Sequence, residues 1–251
     1  MSDLSGRTAL VTGSTSGIGR EVAIALANAG AAVAIHGRSA VNAADLAEIL
    51  GRQGRHAGTF LADLSDAEAV TRLIDKVEDG LPNLDILVAV AGADVLTGEP
   101  AAWPFERKLR QLIEVDVVAT IRLARALGAA IRDHGGGSIV TIGWDQAEVG
   151  MEGDSGELFS ATKGAVMAFT RSLARSLAPK VRVNCVAPGW IKTAWGDGAS
   201  EIWQKRAVRE SMLGRWGTPA DIAAAVHWLV SADAAFVTGQ VVSVNGGFRR
   251  A

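Results

Sequence analysis

The chain of 251 residues contains no tyrosine. Any proton transfer that needs a phenol is therefore excluded, because neither phenylalanine nor tryptophan exchanges a proton as a phenol does. Cysteine occurs once, as Cys185, which rules out an internal disulfide and a cysteine-based zinc cluster. Its place in the apolar run 181–187 points to a buried, inert thiol, and no metal site is expected. Long hydrophobic runs are also missing, so no stretch is a candidate membrane span. Residues 1–7 lack the apolar run of a signal peptide, and a reducing cytoplasm is the expected location. The formal net charge is only −2, which gives no basic footprint for nucleic acid or an anionic membrane.

What is present is a globular composition: 49% hydrophobic and 21% charged residues, ample for a buried core. Short apolar runs at 8–11, 32–35, 58–61, 86–90, 138–142, 182–186 and 241–244 read as strands. Longer amphipathic patterns at 18–29, 43–52, 67–77, 104–133, 158–177 and 220–230 read as helices. This alternation predicts an α/β fold, a doubly wound parallel sheet with helices on both faces. No linker or repeat interrupts it, so residues 1–251 read as one domain. The irregular stretch at about 190–213, with a polar, tryptophan-bearing helix inside it, suits a lid over a ligand.

The first strand runs into Thr12-Gly13-Ser14-Thr15-Ser16-Gly17-Ile18-Gly19, and a helix follows. Glycines there let the backbone approach a pyrophosphate, and the helix N-terminus presents free N–H groups and a positive dipole end. Position after the first strand and before the first helix is the context that gives the pattern its weight. The second strand ends His36-Gly37-Arg38-Ser39. An acid at that end would grip a ribose hydroxyl; Arg38 instead suits a 2′-phosphate, favouring NADP over NAD.

With these motifs the chain resembles the short-chain dehydrogenase/reductase family, and among its members the 3-oxoacyl carrier-protein reductases. The resemblance spans essentially the whole length. It is carried by the glycine motif, Asp63-Leu64, Ala91-Gly92, Lys163, Pro188-Gly189-Trp190-Ile191-Lys192-Thr193, the run from Gly217 to Ile222, Val237-Thr238-Gly239-Gln240 and Asn245-Gly246-Gly247. It implies a seven-stranded Rossmann-type sheet and a homotetramer or homodimer. It also implies that Asp63 and Leu64 meet the adenine, Ala91 and Gly92 the adenosine side, Lys163 the nicotinamide ribose, and Pro188, Gly189, Ile191 and Thr193 the carboxamide. The family's catalytic positions depart from the pattern. Its serine aligns with Trp144, its tyrosine with Phe159 and its asparagine with Asp116, and only Lys163 remains.

Residues 159 and 163 share one helix face. In the family that spacing lets the lysine lower the phenol's pKa; beside Phe159 the lysine keeps only cofactor binding. Carbonyl reduction needs a hydride and a proton or strong hydrogen bond for the developing alkoxide, and the second partner is missing. None of the four histidines restores it: His36 belongs near the adenosine, His134 lies at the wrong end of the sheet, and His56 and His227 are peripheral. Residues 144–157 hold five carboxylates, with Asp154 or Ser155 as candidate helix caps. Trp144 and Asp145 together would suit a cationic or iminium ligand. The crowding of Trp190, Trp195 and Trp203 would suit an aromatic or apolar one. Three functions compete: an NADP(H)-dependent oxidoreductase acting on an imine or an activated double bond, a catalytically silent dinucleotide-binding sensor or scaffold, and a non-redox enzyme running acid–base chemistry through Asp145 or Asp116.

Overall fold

The computed structural model describes residues 2–248. Seven strands form one sheet: β1 (Thr8–Thr12), β2 (Ala32–Gly37), β3 (His56–Leu61), β4 (Ile86–Ala89), β5 (Gly137–Ile142), β6 (Val181–Pro188) and β7 (Val241–Val244). Their order is β3-β2-β1-β4-β5-β6-β7, and every pairing is parallel. The order reverses between β1 and β4, and a crevice opens there beyond the carboxyl ends of the strands.

The helices are α1 (Gly17–Asn28), α2 (Ala40–Arg52), α3 (Ala67–Gly80), α4 (Phe105–Leu112), α5 (Thr120–Asp133), α6 (Asp154–Leu177), α7 (Ala194–Gly198), α8 (Glu201–Glu210) and α9 (Pro219–Val230). Successive residues of a strand point to opposite faces, so β1 feeds two cores. Ala9 and Val11 pack with Val22, Leu26 and Leu46 of α1 and α2 and with Val226 of α9. Leu10 packs with Leu73 of α3, Leu127 of α5 and Leu177 of α6. A third, smaller cluster of Val95, Leu112 and Leu158 touches Phe159. Among the described residues no helix is long and apolar enough to cross a membrane.

Several element boundaries differ from the sequence expectation, four of them near the site or the termini of its elements. The helix expected over 158–177 begins at Asp154, and its N-cap is Gly153 with no side-chain cap. Neither Asp154 nor Ser155 caps it, because both already lie within its first turn. The helix expected over 104–133 is broken by a π-helical segment, Ile113–Ala119, a distortion that hydrophobic periodicity does not register. β3 begins at His56, so this residue is a strand end. β6 runs on to Pro188, its last ladder position pairing with Val244.

Candidate active site

A cleft of about 860 Å³ follows the crevice and is walled by the loops after β1, β2, β3, β4, β5 and β6. At its near end Gly13 has φ +63°, and a Cβ there would lie 2.7 Å from Ala91 Cα. A Cβ on Gly19 would sit 2.3 Å from Gly13 O. Gly13 therefore holds the turn against the β4 loop and Gly19 closes the turn on itself, with no room for a side chain at either. Thr12 Oγ1 ties the two together by accepting from the N–H groups of Val90 (3.1 Å) and Ala91 (3.2 Å). The N-cap Ser16 makes no side-chain cap bond, and Ser16, Gly17 and Ile18 line the cleft. A helix N-terminus with its first N–H groups open to a cleft attracts an anion.

The β2 end completes this half. Gly37 lets Thr15 approach to where a Cβ would meet Thr15 Cγ2 at 2.4 Å. His36 Nδ1 accepts from Gly13 N at 3.2 Å, and burial pushes this imidazole down to about 4, so it is uncharged at neutral pH. Arg38 is exposed and lines the cleft with Asp63. Burial would raise the Asp63 carboxyl, but the N–H and hydroxyl of Ser65, with Arg38 beside it, hold it below its usual value. Leu64, Gly92, Pro188, Gly189, Ile191 and Thr193 also line the cleft.

Two expected cofactor contacts are corrected. Ser14 is fully buried, with its Oγ accepting from His36 N at 3.0 Å. Ser39 caps α2, its Oγ accepting from Asn42 N at 3.2 Å. Neither lines the cleft: the Ser14 hydroxyl is bonded to the β2 backbone at His36, and the Ser39 hydroxyl to the first turn of α2.

At the far end the structure brings Trp144, Phe159, Lys163 and Asp116 together. Trp144 and Phe159 meet edge to face, with centroids 6.2 Å apart. One turn beyond Phe159, Lys163 Nζ lies 2.8 Å from Asp116 Oδ2. That pair is buried, the side chains being 12% and 1% exposed. The other oxygen, Asp116 Oδ1, accepts from Ala93 N at 2.7 Å. The π-helical segment carries Asp116 into this position. Asp145 does not join them. Its Oδ2 accepts from Asn245 Nδ2 at 3.0 Å, its Oδ1 is buried without a partner, and burial raises the carboxyl to about 6. The carboxylate is turned towards Asn245 rather than into the cleft. Ser155, four residues before Phe159 on α6, lines the cleft and was missed by the sequence reading; its spacing was the available signal.

The segment between β6 and α9 covers this end. Trp190, Trp195, Trp203 and Trp216 cluster with centroids 5.4 to 6.1 Å apart. The first three line the cleft. Trp190 Nε1 donates to Glu210 Oε2 at 2.8 Å. Glu210 in turn pairs with Arg206, at 2.7 Å, and Arg206 reaches across to Glu152 before α6, at 2.5 Å.

A parallel seven-stranded sheet with a glycine-lined, anion-accepting turn at its switch point defines a Rossmann-type dinucleotide-fold protein. A family model described as Enoyl-(Acyl carrier protein) reductase matches residues 13–249. The chain belongs to this family, the short-chain dehydrogenases/reductases, and is an oxidoreductase by family. It is 36% identical to Nodulation protein G of Rhizobium sp. (strain N33), over 98% of both chains. It is 35% identical to the 3-oxoacyl-(acyl-carrier-protein) reductase FabG of Aquifex aeolicus, over 97% of this chain and 98% of that one. Among solved structures it is similar to a blue fluorescent protein from a metagenomic library in complex with NADPH, at 32% identity and a TM-score of 0.87, covering 99% of this chain and 100% of that one.

Proposed function

We propose that this protein binds NADPH and reduces a polarised C=N or conjugated C=C bond, not an ordinary ketone. The residues fit the cofactor: the cradle at Gly13 and Gly19 is closed to any Cβ, and Arg38 stands exposed at the β2 end. Gly13, Thr15, Ser16, Gly17, Ile18 and Gly19 would hold the pyrophosphate, Arg38 the 2′-phosphate, Asp63 and Leu64 the adenine, and Ala91 and Gly92 the adenosine. Pro188, Gly189, Ile191 and Thr193 would orient the carboxamide end, and Lys163 the adjacent ribose. NADPH, when bound, supplies a hydride.

The observation that carries the reading is the wall formed by Trp144 and Phe159. Neither ring can stabilise an alkoxide as a hydroxyl pair would. An iminium carbon is already cationic, and a conjugated alkene can take its proton at carbon from water or an acid, so neither needs that oxyanion partner. Trp144, Phe159 and Ser155 would shape the pocket, and Lys163 with Asp116 would fix its polar edge. Asp145 would act only by holding Asn245 and the β5 loop. The segment at 190–213 would act as the lid. A second reading, a dinucleotide-binding protein without turnover, is favoured by the same Lys163–Asp116 pair, which keeps the ammonium engaged with a carboxylate. Acid–base chemistry has less support, since Asp145 faces Asn245 and Asp116 already accepts two bonds.

The test is steady-state NADPH oxidation with dihydroisoquinoline, a conjugated enone and the matching saturated ketone. The imine or the enone should turn over at least about tenfold faster than the ketone, a barrier difference of ~1.4 kcal/mol. Phe159→Tyr alone should leave ketone reduction low, because Trp144 still offers no hydroxyl. Faster reduction of the ketone would refute the proposal. Tight NADPH binding with no turnover of any of the three would select the second reading.

A further inference from the structure

We infer that the substrate end of the cleft is a stacking box for a planar aromatic molecule. Three indoles line it from the lid side, Trp190, Trp195 and Trp203, each half-buried and so still offering surface to the cleft. Trp144 and Phe159 line it from the β5 and α6 side. Aromatic rings gain from offset or edge contacts beyond their buried area, and a flat ligand meets such walls with little lost surface.

The lid-side indoles are held in place before any ligand arrives. Trp190 stacks on Trp195 at 5.9 Å and 22°, and its Nε1 is fixed by Glu210. Trp203 lies 5.4 Å from Trp190 and carries the Arg206 guanidinium 5.1 Å over its ring. Trp216 backs the group, buried behind Trp190 and Trp195. A wall locked in this way spends little entropy on binding.

The polar side chains at this end are largely engaged within the protein. The Asp116 carboxylate is taken by Lys163 and Ala93 N. The Asp94 carboxylate is taken by the N–H groups of Leu96 and Thr97 and by the Thr97 hydroxyl. Lys108 Nζ donates to Ala101 O. Asp145, the group that would have paired with a cation, is turned to Asn245. Ring faces, aliphatic side chains such as Val95 and Leu96, Met151 and the neutral Ser155 and Gln111 make up much of the remaining wall.

The inference rests on the proposed reductase for where the reacting end lies, but its test needs no turnover. The full-length protein, with and without NADPH, is titrated calorimetrically with naphthol and with its fully saturated analogue decalol. Decalol is the more apolar of the two, so burial alone would favour it; a stacking box reverses the order, and naphthol should bind about tenfold tighter or better. Trp195→Ala and Trp203→Ala should each weaken naphthol by roughly 2- to 12-fold, the range of an aromatic pair, while Trp195→Phe keeps most of the affinity and NADPH affinity stays unchanged. Equal affinities for the two probes in the unmodified protein would overturn the inference, even if an alanine variant failed to fold. So would alanine variants that fold and bind naphthol as before. If NADPH does not bind but naphthol is still preferred and still tryptophan-dependent, the reductase reading falls and the box stands.

Discussion

Removing one partner of the Lys163–Asp116 pair should be far more damaging than removing both. At 2.8 Å and an effective dielectric of about 20, the attraction is ~6 kcal/mol. Desolvation of two ions this deeply placed offsets most of it, at several kcal/mol each, so the net worth of the pair is small. Asp116→Leu, however, leaves an ammonium with a side chain only 12% exposed and no counter-ion. It also orphans the Ala93 N–H. Lys163→Met leaves a carboxylate with a side chain 1% exposed. Each single change should cost about 3–5 kcal/mol, lowering the melting temperature by roughly 6–20 °C for a chain of this size. The double variant should lose no more than about either single one, which gives a coupling energy of ~3 kcal/mol or more in a double-mutant cycle. The assay is urea and thermal unfolding of all four proteins at neutral pH. Simple additivity of the two losses would refute the claim that these groups depend on each other.

Asp145→Asn should stabilise the protein at neutral pH and not in acid. The folded carboxyl is raised to about 6, so between its unfolded value near 3.8 and that value the folded state holds the extra proton. Its favourable contribution is therefore complete below the unfolded pKa and is lost as pH rises through about 6. The gain on substitution should be ~1–3 kcal/mol above pH 7 and near zero at pH 4; unfolding curves showing the same difference at both pH values would disprove the burial argument. Arg38→Ala should abolish a preference for NADPH over NADH on the order of 1–3 kcal/mol; equal dissociation constants for the two cofactors in the unmodified protein would remove Arg38 from the site.

The chain by itself determined what depends on near neighbours. The glycine turn from Thr12 to Gly19 is local: backbone room and a following helix are properties of eight consecutive residues, and the structure keeps Gly13 and Gly19 where no Cβ fits. The strand runs were legible because burial on both faces of a parallel sheet demands unbroken apolar stretches. Phe159 and Lys163 were legible as a pair because four residues is about one helical turn. Their family positions came from resemblance rather than from any local pattern.

Tertiary structure alone decided the rest. Asp116 meets Lys163 only because a π-helical segment rotates its side chain towards α6, and π distortion has no signature in hydrophobic spacing. The sequence placed Asp145 beside Trp144, but which way its carboxylate points is set by Asn245, a residue after the last strand. Ser14 and Ser39 looked like phosphate contacts by position and became backbone caps once His36 and α2 were folded against them. The four tryptophans of residues 190–216 are close in sequence, but their packing on one another and the tie of this segment to Glu152 through Arg206 and Glu210 are tertiary. Periodicity reports which face a residue takes on its own element. The partner that face meets is fixed by packing between elements, and that is where the character of this cleft was settled.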